Sequence, residues 1–324
     1  MKYNQLGHSG LTVSAVGLGC NNFGRANSAT ETQAGTNAVV EAALDAGITL
    51  FDTADVYGKE AGLSEQLLGH ALAGKRDKIV LATKFGMDVS GLNGPDFGVR
   101  GSRSYIIKAV ESSLVRLGTD YIDLFQFHTP DPNTPIEETL RALDDLVTAG
   151  KVRYIGHSNR AGWQIADAEY VAQQLGTERF ISAQNHYNLL DRRAELEVLP
   201  AAAAYGLGVL PYFPLASGLL TGKYSSGEAP KGSRLSYNRQ EMVENADLEQ
   251  LQAFGAYARE RGISEVDVAF GWLLAQHPVS SVIAGATSAE QIQANAATVH
   301  WEPTEEDLTE LDSIFPKPEP IALF

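Results

Sequence analysis

The sequence predicts an α/β fold: a (β/α)8 barrel of the TIM type, with an N-terminal β-hairpin cap and extra helices. Three observations predict it. Eight short β-rich runs alternate with longer helical ones along the 324 residues, and eight repeats of one βα unit point to a closed barrel rather than an open doubly wound sheet. Ile-Val-Leu-Ala-Thr from Ile79 is almost continuously apolar, as a parallel strand covered on both faces requires. The glycines at the first run, Gly17, Gly19 and Gly24, miss the G-x-G-x-x-G spacing of the rival dinucleotide-binding sheet.

Taken in order, residues 2–6 and 11–16 flank Gly7-His8-Ser9-Gly10 and read as a hairpin capping the bottom of the barrel. The barrel strands are expected at 16–18, 50–52, 79–84, 122–128, 152–158, 182–185, 208–213 and 279–284. Between them lie amphipathic helices. Ile136, Leu140, Leu143 and Val147 recur at helical spacing behind Pro135 and ahead of Gly150, with proline suited to a first turn and glycine to a stop. Tyr105, Ala109, Val110, Ser113, Leu114 and Leu117 trace a second such face ending at Gly118. Two long stretches, 85–100 and 214–245, follow the third and seventh strands and are expected on the catalytic face. Residues 247–262 and 304–315 read as helices beyond the eight repeats. No linker or low-complexity tract divides the chain, so residues 1–324 are expected to form a single domain.

Composition narrows the function. A hydrophobic content of 44% supplies a large core, and a net charge of −15 argues against a nucleic-acid partner, which needs a clustered positive face. The longest apolar run, 196–210, is broken by Glu197, Pro200 and glycines, whereas a membrane span takes about 20 apolar residues. Cys20 is the one cysteine, so no internal disulfide can form and a reducing compartment suits the chain. No apolar leader follows Met1. A cytoplasmic location is expected, with no membrane partner, as a monomer or weak homo-oligomer. His128-Thr129-Pro130-Asp131 has no third ligand at recognisable spacing, so no metal is expected.

Barrel enzymes place working groups at the C-terminal ends of strands. Strand two ends in Phe51-Asp52-Thr53-Ala54-Asp55-Val56-Tyr57-Gly58, strand three in Ala82-Thr83-Lys84-Phe85 and strand four in Phe125-Gln126-Phe127-His128. An Asp, a Lys and a His thus share a level, with a Tyr one short loop away. A buried structural ion pair is the alternative for Asp52 and Lys84, and packing the alternative for Tyr57. Four such groups on one rim are harder to explain as structure alone. A tyrosine titrates near about 10, and an adjacent ammonium lowers that value. Asp52 is expected to hold Lys84 charged, Lys84 to acidify Tyr57, and His128 to hydrogen-bond the substrate oxygen or the phenol. A carbonyl placed between Tyr57 and a hydride donor would receive a proton and a hydride.

These residues resemble those of the aldo-keto reductases, and the resemblance runs nearly end to end. The family's Asp, Tyr, Lys and His tetrad is matched by Asp52, Tyr57, Lys84 and His128. Residues 114–124 (Leu-Val-Arg-Leu-Gly-Thr-Asp-Tyr-Ile-Asp-Leu) resemble a second signature, and Gly150-Lys151-Val152-Arg153-Tyr154-Ile155-Gly156 fits the fifth-strand pattern. The resemblance implies reduction of aldehydes or ketones to alcohols, a small-molecule carbonyl substrate, and NADPH (with NADH possible) lying across the top of the barrel. It implies that Ser158, Asn159 and Gln184 hold the carboxamide and that Tyr212 stacks under the nicotinamide. Gly19 and Asp52 would also border the cofactor. Leu215, Gly218 and Lys223 resemble the loop over the pyrophosphate, and Arg234 a loop arginine serving the 2′-phosphate. Gly285, Thr287, Ser288, Gln291 and Asn295 match the segment around the adenosine, where helix-start amides suit a phosphate.

The chain departs from the family pattern in three places. No Lys or Arg lies between Gly285 and Asn295, Ala294 stands where several relatives carry an acid, and Asn21 and Asn22 where many carry a bulky aromatic. Phe85, Phe97 and Phe213 are candidate aromatic walls. Two other functions compete. A Schiff-base aldolase would use Lys84 but has no need of Gln184 and Tyr212. A redox-sensing, channel-associated branch of the family is resembled around Leu219-Leu220-Thr221-Gly222-Lys223-Tyr224, and implies cofactor binding with little turnover.

Overall fold

A computed structural model gives the structure of residues 1–230, 234–236 and 240–320. For Arg234 only the backbone is described, so the expected phosphate contact of its side chain lies outside the described residues.

Strands β1 (Tyr3–Gln5) and β2 (Thr12–Ser14) pair antiparallel, with Tyr3 opposite Ser14 and Gln5 opposite Thr12. The turn between them needs Gly7: its φ is +59°, and a Cβ there would lie 2.4 Å from the Gly206 carbonyl oxygen. Only glycine takes both the left-handed backbone and that approach. This hairpin is the expected cap.

Eight parallel strands follow: β3 (Val16–Gly19), β4 (Leu50–Asp52), β5 (Val80–Phe85), β6 (Ile122–Phe127), β7 (Val152–Ser158), β8 (Ser182–Gln184), β9 (Gly208–Val209) and β10 (Val282–Gly285). The sheet order is β10-β3-β4-β5-β6-β7-β8-β9. The two ends meet through Val209 N donating to Pro278 O, Ser280 N to Val209 O and Ile283 N to Pro211 O, so the (β/α)8 barrel closes. β6 and β8 end one residue earlier than the sequence predicts, and β9 and β10 depart further, for which proline gives the reason. Pro211 has no N–H to continue β9, which resumes only as a bridge between His186 and Tyr212. Before β10, Val279 N turns back to Gln276 O behind Pro278 and leaves one bridge to Val209.

Alternation along the strands sorts the barrel into an inside and an outside. Leu50, Ala82, Leu124, Leu210 and Ile283 form an interior cluster with Leu6 and Val13 of the hairpin. Phe51, Leu81, Phe125, Ile155 and Ala183 belong to the larger layer between strands and helices. The extra helices lie at Leu248–Glu260, capped by Asp247, and Glu305–Ile314, capped by Thr304 with Asp307. Among the described residues no helix is long and apolar enough to cross a membrane.

Candidate active site

Carried up the strands, the same alternation builds the site. Two residues above Leu50, Ala82 and Leu124 come Asp52, Lys84 and Gln126, with Lys84 paired to Gln126 and Asp52 paired to Ala82, one inward position below Lys84. Further up or round the wall stand His128, Ser158, Gln184, Tyr212 and Gly285. A polar upper storey therefore rests on an apolar lower one.

Lys84 is wholly buried, and its Nζ donates to Asp52 Oδ2 at 2.5 Å, to the Thr53 carbonyl at 2.9 Å and to the Tyr57 hydroxyl at 3.3 Å. The remaining oxygen of Asp52, Oδ1, accepts from Gln126 Nε2 at 3.0 Å and Gln184 Nε2 at 2.9 Å. All four predicted catalytic residues converge here. Tyr57 stands edge-on to His128 with ring centroids 5.8 Å apart, though no hydrogen bond joins the two rings among the described residues. The Nδ1 of His128 is buried without a partner among them.

The electrostatics differ from expectation at Tyr57. Burial raises the phenol above its ordinary value and outweighs the lowering by Lys84, whose charge is already answered by Asp52. Burial works against the Lys84 ammonium too, but Asp52 and Tyr57 together hold its value above the ordinary one. Burial, with Lys84 adding to it, holds His128 well below the usual imidazole value, so the ring is neutral at neutral pH. The rim presents a protonated phenol, a neutral imidazole and a compensated ion pair.

An open cleft of about 710 Å³ runs from Tyr57 and His128 past Tyr212 to Asn295, within the range of small-molecule sites. Of the residues expected to hold a cofactor, Gly19, Asp52, Ser158, Asn159, Gln184, Tyr212, Leu215, Gly218, Lys223, Gly285, Thr287, Gln291 and Asn295 line it. Ser288 does not: its hydroxyl accepts from Gln291 N as the cap of helix Ala289–Ala297. Thr287 N is taken by Gln291 Oε1 at 2.8 Å, so two amides of that corner are already engaged. The carboxamide set is likewise interlinked. Ser158 Oγ donates to Gln184 O, Asn159 Nδ2 to His128 O and Ser158 Oγ, and Tyr212 OH to Asn159 Oδ1 at 2.8 Å. Asn159 holds a left-handed φ of 58° to do so, a conformation uncommon outside glycine. Gln184 spends its amide hydrogens on Asp52 and Gln126, which leaves its carboxamide oxygen for an incoming donor.

Among the candidate walls, Phe213 and both Asn21 and Asn22 line the cleft. Phe85 does not. It stacks between Phe125 and Phe127 on the outer side of the wall, at 4.6 and 5.0 Å. Phe97 is 88% exposed and outside the lining. Sequence reading passed over Gln126, whose place two residues before His128 on one strand was a usable signal. It also passed over Arg25, Ser28 and Met87 in the lining, which come from loops and carry no periodicity.

The chain is similar to known proteins along most of its length. The Aldo/keto reductase family profile matches residues 15–315. An uncharacterized oxidoreductase of Bacillus subtilis is 40% identical over 98% of this chain and 97% of its own. A probable voltage-gated potassium channel subunit beta of Oryza sativa subsp. japonica is 37% identical over 91% of this chain and 90% of its own. An L-glyceraldehyde 3-phosphate reductase of Escherichia coli (strain K12) is 36% identical over 93% of this chain and 88% of its own.

Proposed function

Because the chain belongs to the aldo/keto reductase family and is an NAD(P)H-dependent oxidoreductase of carbonyl compounds, we propose that it uses NADPH and that Tyr57 is its proton donor. The observation that carries this reading is the Asp52–Lys84–Tyr57 chain of contacts opening on the cleft beside a neutral His128. When bound, the nicotinamide supplies the hydride. Tyr57 holds the proton for the carbonyl oxygen, and a phenol raised by burial keeps that proton through the neutral range. Lys84 stabilises the phenolate left behind, being 3.3 Å from the hydroxyl. His128 orients the carbonyl oxygen from the other side as a neutral ring.

The residues present fit a nicotinamide cofactor. Tyr212 offers a ring face, the Gln184 oxygen can accept from a carboxamide, and Lys223 borders the cleft. Lys223 and Arg234 are the basis for NADPH over NADH, and a salt-insensitive preference for NADH in binding titrations would overturn that choice. Around Asn21 and Asn22 the cleft is polar and includes Arg25 and Ser28, which favours short, hydroxylated or anionic carbonyls over bulky aromatic ones. A relative named for reduction of L-glyceraldehyde 3-phosphate is in keeping with that. Cys20 is buried and has no second cysteine to pair with, which supports a reducing, cytoplasmic setting.

The test is NADPH oxidation with a panel of short aldehydes and diketones. Tyr57→Phe is expected to lower kcat by about 10²–10⁴-fold while cofactor binding persists. Turnover intact in that variant would remove Tyr57 as donor. A second reading, cofactor sensing with little turnover, is favoured by the channel-subunit relative, and tight NADPH binding without turnover across the panel would select it.

A further inference from the structure

Behind Tyr212 lies a layer that the proposed chemistry does not use. The break at Pro211 leaves Tyr212 bridged to His186 and its N–H donating to Asn185 O at 3.1 Å. The two rings stack, with centroids 5.4 Å apart and planes 7° from parallel. Phe213 meets both edge-on, at 5.2 Å from Tyr212 and 5.7 Å from His186. Tyr212 thus has one face on His186 and lines the cleft as well.

The hydrogen bonds around His186 favour a neutral imidazole. Asn188 Oδ1 accepts from Leu190 N and Asp191 N, each at 2.9 Å, so the other atom of that amide is the nitrogen. That nitrogen donates to Phe213 O at 2.9 Å and lies 3.2 Å from His186 Nε2. Nε2 must then accept, and the ring proton sits on Nδ1, 3.0 Å from Asp191 Oδ2. A second ring proton would set two donors against each other at Asn188. Asp191 is anchored in turn by Arg193 through both its oxygens, at 2.8 and 2.5 Å. Asp191, Asn188, Tyr212 and Phe213 all face His186, with Arg193 beyond Asp191. The Asp191 charge is felt as far as Tyr212, whose phenol is raised by burial first and by Tyr57 and Asp191 after it, with Arg193 working the other way.

We infer that His186 is a positioning residue: a neutral imidazole, polarised by Asp191, that backs Tyr212 and biases the site toward the oxidised form of the cofactor. This rests on the reading of Tyr212 as the nicotinamide platform. The physical reason is charge. An oxidised nicotinamide ring is cationic and a reduced one is neutral. An aromatic face attracts a cation through its quadrupole, and an electron-rich ring stacked beneath it, with a carboxylate at its edge whose charge Arg193 shares, adds to that attraction. The backing layer therefore acts on one redox form more than on the other, whereas simple packing would act on both alike.

The experiment is a pair of fluorescence titrations of the full chain, with NADP⁺ and with NADPH, on four variants. His186→Phe keeps a stacked ring and removes the Asp191-bound imidazole. It is expected to weaken NADP⁺ by about two- to five-fold and to leave NADPH close to wild type. Asp191→Asn is expected to shift the ratio in the same direction, and His186→Ala to weaken both forms. Equal changes for the two forms in both His186→Phe and Asp191→Asn would overturn the inference and leave His186 as filler. Tyr212→Ala separates this from failure of the underlying reading. If it leaves both affinities unchanged, Tyr212 is not the platform and the inference falls with it.

Discussion

Two aspartates three residues apart meet opposite fates. Asp52 and Asp55 are both buried, on one stretch of chain. Asp52 points into the barrel and takes Lys84 on one oxygen and two side-chain amides on the other. Asp55 packs outside it, with Oδ2 accepting from Asn93 Nδ2 at 2.8 Å and Oδ1 without a partner among the described residues. The cation that acts on it most, Arg116, is spent on Glu65 Oε2 at 2.6 Å and on Asn93 Oδ1 at 3.1 Å. Burial, and then Glu65, push the Asp55 carboxyl up to about 8. Burial alone therefore does not make a carboxylate reactive. The partner decides: Asp52 is paired with a lysine that also reaches Tyr57, and Asp55 is a protonated strut that joins the Tyr57 segment to the loop after β5 through Asn93.

The largest effect is expected from breaking the first pair. Lys84→Met should lower kcat by about 10²–10⁴-fold and, by leaving Asp52 buried without its cation, should cost about 3–5 kcal/mol of stability. Denaturant unfolding beside steady-state turnover separates the two losses. Adding Asp52→Asn should restore much of the stability and none of the turnover. A double variant that regained activity would mean that the pair is structural. Breaking the second cluster should do the reverse. Arg116→Met leaves Glu65 and Asp55 in one pocket with no cation between them, and should cost about 3–5 kcal/mol while folded protein keeps near-normal kcat. A large kcat loss there would place this cluster in the chemistry.

The difference between the aspartates also marks how far the sequence could be read. Alternation and strand ends suffice to bring Asp52, Lys84 and His128 to one rim, because a strand's period of two dictates which residues share its inner face. The eight repeats, the hairpin and the two extra helices follow from local pattern in the same way. Tyr57 is reached by one short loop, so its convergence was legible and its acidity was not. The sign of its shift depends on whether the Lys84 charge is already answered and on how much water is excluded, and both are sums over residues far apart in sequence. Phe85 failed as a wall because it lies one residue past Lys84, and one step along a strand exchanges the inside for the outside. The stack of His186 on Tyr212 depends on a ladder broken at Pro211 and on loops that meet only in the fold. Asp55 is equally opaque: nothing in its spacing tells that Arg116, from a helix 61 positions on, arrives already engaged.

That opacity makes Asp55 the finest probe of the comparison, and the smallest effect expected. A carboxyl raised from its ordinary value to about 8 holds a proton in the folded protein that the unfolded chain gives up near pH 4. Its contribution to stability is therefore full below about pH 4 and is lost as the pH rises through about 8. Asp55→Asn keeps the Asn93 contact in shape and has no charge to desolvate. It should be more stable than wild type at pH 9, by on the order of 1 kcal/mol or more, and should flatten the decline in stability between pH 5 and 9. Urea midpoints for both proteins across that range would read it directly. Parallel pH curves would mean that Arg116 reaches Asp55 after all and that the two aspartates are alike in being charged; diverging curves, with kcat unchanged, would keep them apart.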